Sequence, residues 1–116
     1  MSSKWEHVVI DAADPARLAR WWAETLDHRI VYEDEHESDV AATDDARPVL
    51  VFVPVAEARS GKNRLHIDLN PDDQAAEVER LVDRGARRVD VGQPADATWV
   101  VLADPEGNEF CVLRAR

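Results

Sequence analysis

Apolar and polar positions alternate along several short stretches of the chain, and this period of two predicts β-strands. In residues 64–69 (RLHIDL) the apolar side chains alternate with a cation, an imidazole and a carboxylate. Residues 48–55 (PVLVFVPV) are apolar throughout, which is typical of a strand buried on both faces. A weak edge strand is expected around residues 40–42. The remaining predicted strands are 5–12, 29–35, 87–91, 98–103 and 109–115.

Two further segments have the 3.6-residue period of an amphipathic helix. The first follows Asp14 and Pro15, which suit the cap and the first position of a helix, and its apolar stripe places Trp22 in the core. The second follows Asp73 and ends near Gly85, a residue favoured just beyond a helix C-terminus. Both helices therefore have start signals of the same kind.

The order of these elements repeats along the chain: strand, helix, then three strands. His7 on the first strand precedes Asp14 by seven positions, and His66 precedes Asp73 by the same spacing. A repeat of this length predicts two similar units sharing one fold. We expect one α+β domain over 1–116, with unit one at about 4–56 and unit two at about 63–116. Its curved sheet would surround a cavity, with both helices outside.

Charge and composition exclude several classes of function. The chain has 24 acidic against 14 basic residues and a formal net charge of −10, so nucleic acids and anionic membranes are poor partners. The N-terminus has no long apolar run, which argues against a signal peptide or a membrane anchor. Cys111 is the single cysteine, so no intrachain disulfide can form. A cytoplasmic location is expected.

The polar face of the 64–69 strand is the first candidate for chemistry. Arg64 and Asp68 flank His66 on that face, so all three would line the cavity together. Arg64 could bind or orient an oxyanion, and Asp68 could fix a histidine tautomer or act as a base. The alternative is a buried Arg64–Asp68 ion pair that only stabilises the sheet.

Other side chains could complete a small-molecule site. Trp5 and Trp99 are candidates for aromatic walls of a ligand pocket. Glu109 could supply an acid near the cavity rim, or it could be an exposed acid at a strand end. These residues extend the candidate site beyond the strand that carries His66.

Three stretches carry a family resemblance: DPARLARWWAETL, GKNRLHIDL and DPEGNEFCVL. Together with the tandem repeat, they resemble the vicinal oxygen chelate superfamily, which includes glyoxalase I, extradiol dioxygenases and bleomycin-resistance proteins. The similarity is closest to its small bacterial glyoxalase-like members and covers nearly the whole chain. It implies a ligand cavity and a homodimer.

The resemblance also implies a metal site that this sequence only partly retains. Metal-dependent members use His, Glu or Gln from the first and last strands of each unit. The matching positions here are His7, His66, Cys111 and Val53, and Val53 has no ligating side chain. His7, His66 and Cys111 could hold a divalent metal such as Zn, Ni, Mn or Fe. A metal-free protein, with Cys111 as a small buried side chain, is the alternative.

Two functions follow from the resemblance. The first is a lyase or isomerase that binds a small organic ligand in a cavity lined by His7 and His66 and acts through an enediolate-like intermediate. The second is a non-catalytic drug- or metabolite-binding protein of the bleomycin-resistance kind, with a degenerate metal site. The acidic composition would suit a cationic ligand in the second case.

Overall fold

A computed structural model describes residues 2–58 and 60–115, and the chain divides into two compact units at residues 1–58 and 59–116. Each unit runs strand, helix, then three strands. The predicted α+β class and the βαβββ repeat are confirmed. Within the described residues, no helix has the length and apolar character needed to cross a membrane.

The first unit is a four-stranded mixed sheet with one helix. Its elements are β1 (His7–Ala12), α1 (Pro15–Leu26), β2 (Arg29–Glu33), β3 (Ser38–Ala41) and β4 (Val49–Pro54). The strand order is β1-β4-β3-β2, in which β1 runs parallel to β4 and the other neighbours are antiparallel. Helix α1 packs against β2, β3 and β4.

The strand expected at residues 40–42 is not an edge strand. It forms β3, and it lies between β2 and β4. Val40 and Ala41 are fully buried there, and so is the Ser38 side chain. The edge prediction was wrong because it weighed the polar residues on either side of β3. Those residues belong to turns, whereas β3 itself is buried.

The second unit repeats this topology with shorter strands. Its elements are β5 (Asp68–Leu69), α2 (Gln74–Asp83), β6 (Arg87–Arg88), β7 (Val100–Ala103) and β8 (Glu109–Val112). The order is β5-β8-β7-β6, with β5 parallel to β8. The predicted strands 64–69, 87–91 and 109–115 are each longer than the strands observed.

The strand expected at 64–69 is wrong in its first four residues. Asp68 pairs with Cys111, so the same register continued backwards sets Arg64 opposite Gly107, in the turn before β8. With no partner strand at that point, this stretch is irregular and Leu65 is 87% exposed. Pairing starts at Ile67, whose carbonyl accepts from the Cys111 amide at 3.0 Å.

Both helices begin as the sequence predicts. The carboxylate of Asp14 accepts from the Arg17 amide at 3.2 Å, and that of Asp73 accepts from the Ala76 amide at 3.1 Å. Each bond satisfies a backbone donor that the helix itself leaves unpaired. Gly85 follows the cap of α2 with φ 111°, a conformation that glycine adopts readily.

A tryptophan pair on α1 belongs to the core of the first unit. Trp22 is 2% and Trp21 7% exposed, which confirms the predicted burial of Trp22. Their ring centroids lie 5.1 Å apart, with an angle of 79° between the ring planes. This edge-to-face arrangement is the one favoured by the charge distribution of aromatic rings.

The turn between β7 and β8 is built around a buried acid. Asp104 is 1% exposed, and its carboxylate accepts from the amides of Glu106 and Asn108 at 2.9 and 3.0 Å. Gly107 has φ 91°, a left-handed conformation that glycine adopts readily. Because the backbone donors turn inward onto Asp104, the start of β8 has a fixed position.

Candidate functional site

A pocket of about 440 Å³ lies within the second unit. This volume is within the range of roughly 300–1,000 Å³ that is usual for small-molecule sites. Its polar lining includes Lys62, Asn63, His66, Asp68, Gln93 and Glu109. Apolar side chains of Val91, Trp99, Val101 and Leu113 also line it.

His66, Asp68 and Cys111 form a cluster on the wall of this pocket. Asp68 on β5 is the direct register partner of Cys111 on β8, so the two side chains share a face of the sheet. His66 Nε2 lies 3.1 Å from Asp68 Oδ1, and one potential ligand atom from each of the three residues lies within 4.8 Å of the other two. The His66 and Asp68 side chains are about half exposed, whereas Cys111 is buried, so a ligand can reach the first two.

The cluster holds Cys111 as a thiol. Burial raises the pKa of Cys111, and the nearby Asp68 carboxylate raises it further by its charge and by a hydrogen bond to the thiol. The Lys62 ammonium acts in the opposite direction and lowers this pKa. Because the net shift is upward, Cys111 does not have the low pKa of a nucleophilic thiolate at neutral pH.

The donor set of the cluster fits a divalent metal. An imidazole nitrogen, a carboxylate oxygen and a sulfur are the three kinds of ligand that Zn²⁺ takes in proteins, and three protein ligands leave a position for a substrate. The spacing of at most 4.8 Å requires only small side-chain movements to bring the three atoms around one ion. The sequence prediction included His66 and Cys111 but placed Asp68 outside the metal set.

The structure places the other predicted metal residues in the first unit. His7 lies on β1 beside Val49, and its side chain is about half exposed. The three-residue cluster is formed without it, so metal binding by His7 stays a prediction. Val53 packs at the margin of an apolar group with Val49 and Val51, which agrees with the expected lack of a ligand there.

The remaining candidates divide between the pocket and the solvent. Trp99 and Glu109 line the pocket, whereas Arg64 does not and is exposed. Arg64 was expected to share the strand face of His66. It precedes the strand, so this placement of Arg64 is wrong. Trp5 is in the first unit, 67% exposed, and its indole donates to the His7 carbonyl at 3.2 Å. Ligand binding by Arg64 and Trp5 stays a prediction.

The equivalent face of the first unit has valines along β4, with His7 and Asp11 on β1 and Asp39 on β3 beside them. Val9 pairs with Val51, and Asp39 on β3 lies opposite Val51. The Oδ1 atom of Asp39 is enclosed and has no hydrogen-bond partner among the described residues. Burial raises the pKa of Asp39 to about 7, with a further contribution from Glu37, through a hydrogen bond and its charge, and from the charge of Asp34.

The comparison with known families covers almost the whole chain. The glyoxalase-like domain family matches residues 7–113. The chain belongs to this glyoxalase-like family. No curated protein matches the sequence.

Several solved structures have the same fold as this chain. A fosfomycin resistance protein, FosX of Mesorhizobium loti, has TM-score 0.72 and 18% identity over 100% of this chain and 94% of its own. A glyoxalase/bleomycin resistance protein/dioxygenase family enzyme of Burkholderia phytofirmans PsJN has TM-score 0.70 and 17% identity over 92% and 94%. Glyoxalase I of Leishmania major has TM-score 0.69 and 13% identity over 97% and 87%. At these identities, the likeness shows the fold alone.

Sequence reasoning missed several pocket residues of this glyoxalase-like chain. Lys62, Asn63 and Gln93 line the pocket but lie in irregular segments, where no periodicity indicates which way a side chain faces. One signal was available for Lys62. It is one of only two lysines among fourteen basic residues, and it stands four positions before His66.

Proposed function

We propose that this glyoxalase-like protein binds a small organic carbonyl compound in the pocket of its second unit and catalyses an isomerase or lyase step. The contact of 3.1 Å between His66 Nε2 and Asp68 Oδ1, on the wall of that pocket, is the observation that supports the proposal most directly. A histidine oriented by a carboxylate is a common general base. The family assignment supports the same class of chemistry.

The roles of the two residues follow from their contact. When Nε2–H of His66 donates to Asp68, Nδ1 is the basic nitrogen of the ring. His66 would take a proton from the carbon next to the ligand carbonyl. The C–H electron pair would then form the new carbon–carbon double bond of an enediolate, and the carbonyl oxygen would take the negative charge. With a 2-hydroxy carbonyl ligand, return of the proton to the former carbonyl carbon and transfer of the hydroxyl proton to the first oxygen complete an isomerisation.

A divalent metal is a second state of the same cluster. His66, Asp68 and Cys111 would hold it, and Cys111 would have to lose its thiol proton to do so. When bound, the metal would polarise the carbonyl oxygen of the ligand. In that state the protein's contribution is to orient the three side chains from β5, from the segment before it and from β8.

Proton transfer can be tested without knowing the physiological substrate. The purified protein is incubated in D₂O with glyceraldehyde, dihydroxyacetone and 2-hydroxypropanal, and deuterium incorporation next to the carbonyl is followed by NMR. We expect exchange above the background rate with at least one compound. Loss of a general base typically costs about 10²–10⁴ in rate, so His66→Ala should lower the exchange to near background.

A matched histidine provides the control for this experiment. His36→Ala removes an imidazole that is 78% exposed in the first unit, and it should leave exchange unchanged. Asp68→Asn should reduce the rate less than His66→Ala, because it disturbs the orientation of the base without removing it. Full exchange by His66→Ala, or equal loss in both histidine variants, would contradict the proposed role of His66.

The metal state has its own measurement. Chelator-treated protein is titrated with Zn²⁺, Ni²⁺ and Mn²⁺ by calorimetry, together with Asp68→Ala, Cys111→Ala and His7→Ala. Weaker binding by the first two variants would support the cluster, and weaker binding by His7→Ala would support the ligand set predicted from sequence. If the wild-type protein binds none of these ions, the metal state is excluded and the metal-free base remains.

A non-catalytic binding protein is the second candidate function. The observation that favours it is the valine-rich face of the first unit, which has no metal ligand where Val49, Val51 and Val53 lie. In this case the pocket would retain a drug or metabolite without changing it. Ligand-induced thermal stabilisation with no deuterium exchange in any compound would support this function over the first.

We also propose that the chain forms a homodimer. Three apolar or aromatic side chains of the first unit are mainly exposed: Trp5 (67%), Val9 (59%) and Tyr32 (52%). Covering such groups is a common reason for association. Light scattering coupled to size exclusion should give twice the mass of one chain, and Trp5→Ser with Val9→Ser should shift the equilibrium toward monomer.

A further inference from the structure

Lys62 is a cation in the pocket without an acidic partner in the described part of the chain. It lines the pocket near Cys111, on whose pKa its charge acts. The sequence contains 24 acids, yet no ion pair joins Lys62 to any acid within residues 2–58 and 60–115. An unpaired ammonium group at the wall of a pocket is available to an anionic ligand.

The backbone that carries Lys62 is anchored on its C-terminal side. Asn63 Nδ2 donates to Asn108 Oδ1 at 3.0 Å, and Asn108 Nδ2 in turn donates to buried Asp104 at 3.1 Å. These bonds connect the irregular segment to the rigid turn before β8, so Lys62 extends from a fixed base.

An apolar wall occupies another part of the same pocket. Trp99, Val91, Val101 and Leu113 line it, and Trp99 and Val91 are 36% and 42% exposed. Exposed apolar area in a pocket favours ligands that can cover it, at about 25 cal/mol per Å² removed from water. The ligand should therefore have an apolar body, and an aromatic ring would match Trp99.

Two acids line the pocket and would oppose an anion, but both have partners. Asp68 lies against the imidazole of His66 and accepts a hydrogen bond from the Cys111 thiol, and Glu109 takes part in a further interaction within the protein. The net charge of −10 repels anions mainly at long range. Screening limits that effect to about 8 Å at physiological salt, so the charges that line the pocket, Lys62 among them, set the local preference.

We propose that the pocket of the second unit selects small carboxylates with an aromatic or branched apolar body, with Lys62 binding the carboxylate and Trp99 covering the body. The inference rests on the proposed function for the location of the site, and it adds the class of ligand. It also opposes the cationic ligand that the acidic composition suggests. Lys62 is then a specificity-determining residue and Asn63 a positioning residue.

The experiment compares three ligands with the same ring system. Chelator-treated protein is titrated with 2-naphthoate, 2-naphthamide and 2-naphthylmethylammonium, and binding is read from the indole N–H signal of Trp99 by NMR. Trp99→Phe identifies that signal among the four tryptophans. We expect the acid to bind about tenfold more tightly than the amide, as one charge-assisted hydrogen bond predicts, and the ammonium compound to bind least.

Matched variants assign the preference to Lys62. Lys62→Met should bring the acid to the affinity of the amide, Lys62→Arg should keep most of the preference, and Glu109→Gln should not weaken the acid. Asn63→Ala should reduce the acid's advantage while the amide binds as before. Added salt should weaken the acid and leave the neutral amide unchanged.

Each outcome decides for or against the ligand class. Equal affinity for acid and amide, tighter binding of the ammonium compound, an unchanged preference in Lys62→Met, or no binding of any probe would overturn the proposal. Failure of the proposed proton transfer is separate, because it is read from deuterium exchange in His66→Ala. A carboxylate preference that persists without exchange would support a binding protein for apolar acids.

Discussion

The two βαβββ units use one topology and carry different chemistry on the same face. In the first unit, one row across the sheet reads Val9, Val51 and Asp39; in the second unit, the row at the same register reads Asp68, Cys111 and Val101. Each row has one acid, but on a different strand. Only the second row has a histidine and a sulfur beside its acid within the described residues.

This difference shows which features of the repeat the fold requires. Helix starts at Asp14 and Asp73, the strand order and the parallel pairing of first and last strands are the same in both units. The face that carries Val51 and Cys111 is not part of that set, because the two units place different side chains there. Residues that could ligate a metal can therefore stand in one unit, and valines at the matching positions of the other, without loss of the fold.

Removing the central phenylalanine of each unit should have the largest effect. Phe52 is 0% and Phe110 is 1% exposed, so Phe52→Ala and Phe110→Ala should each lower the free energy of unfolding by about 3–5 kcal/mol. Urea unfolding measures the loss. Leu65→Ala, at an exposed position, should stay within about 0.5 kcal/mol. A cost below about 1 kcal/mol for either phenylalanine would show that the two units are not comparably packed.

Asp39→Val gives the first unit the residue that the second has at this register. The raised pKa of Asp39, about 7, means that the folded protein favours the protonated acid. Stability from this group is full below the unfolded-state pKa of 3.8 and is lost as pH rises through 7. At pH 8.5 the variant should be more stable than wild type by roughly 1–2 kcal/mol, discounted for partial exposure.

The pH dependence distinguishes this effect from simple apolar burial. Urea unfolding at pH 5 and pH 8.5 should show that the advantage of Asp39→Val is much larger at the higher pH. Asp39→Asn, which cannot ionise, should show the same trend with a smaller gain. An advantage equal at both pH values would mean that Asp39 does not titrate near 7.

The two helix caps should have similar, smaller effects. Asp14→Ala and Asp73→Ala each remove one hydrogen bond to a helix amide and should cost about 1 kcal/mol. Serine at either position should restore most of the loss, because its hydroxyl can accept the same bond. Thermal unfolding measures all four variants. A large cost at one cap with none at the other would contradict the equivalence of the two starts.

A surface ion pair should have the smallest effect. Arg20 makes two bonds of 2.8 Å to Glu33, and hydrogen bonds from Arg20 and then Ser38 hold the pKa of Glu33 at about 2. Stability from this pair is present above the unfolded-state pKa of 4.5 and lost as pH falls toward 2. Arg20→Ala should move the acid-induced loss to higher pH in thermal scans, and salt should weaken the difference.

The matching surface ion pair of the second unit lies within one helix. Arg80 bonds Glu77 at 2.7 Å in α2, three positions apart, and Arg80→Ala is the matched control. Helix α2 holds Glu77 and Arg80 close together even without the bond. Arg80→Ala should therefore shift acid-induced unfolding less than Arg20→Ala does. A larger shift for Arg80→Ala than for Arg20→Ala would reverse this order.

The sequence predicted the elements that carry local signals. Asp14 and Asp73 each cap the start of a helix and Gly85 follows the end of one, and these helix ends occur where expected. The start of β5 was misplaced because strand length depends on the partner strand, and β8 begins only at Glu109. Periodicity within 64–69 contains no information about that partner.

The candidate site was predicted in part for the same reason. His66 was found through the repeat, Cys111 through the family resemblance, and Asp68 through its neighbour His66. Their joint cluster depends on the register between β5 and β8, which the sequence does not specify. Lys62 lies in an irregular segment whose direction is set by side-chain bonds to the turn at Asn108.

The tryptophan pair on α1 makes the two units distinguishable by spectroscopy. Two indole rings 5.1 Å apart and at 79° couple electronically, and such coupling gives a circular-dichroism band that exists only while their geometry holds. Trp99 reports separately, through its indole N–H signal in NMR, from the pocket wall of the second unit. The chain thus carries one native spectroscopic probe for each half, so that the order in which the halves lose structure can be followed without any added label.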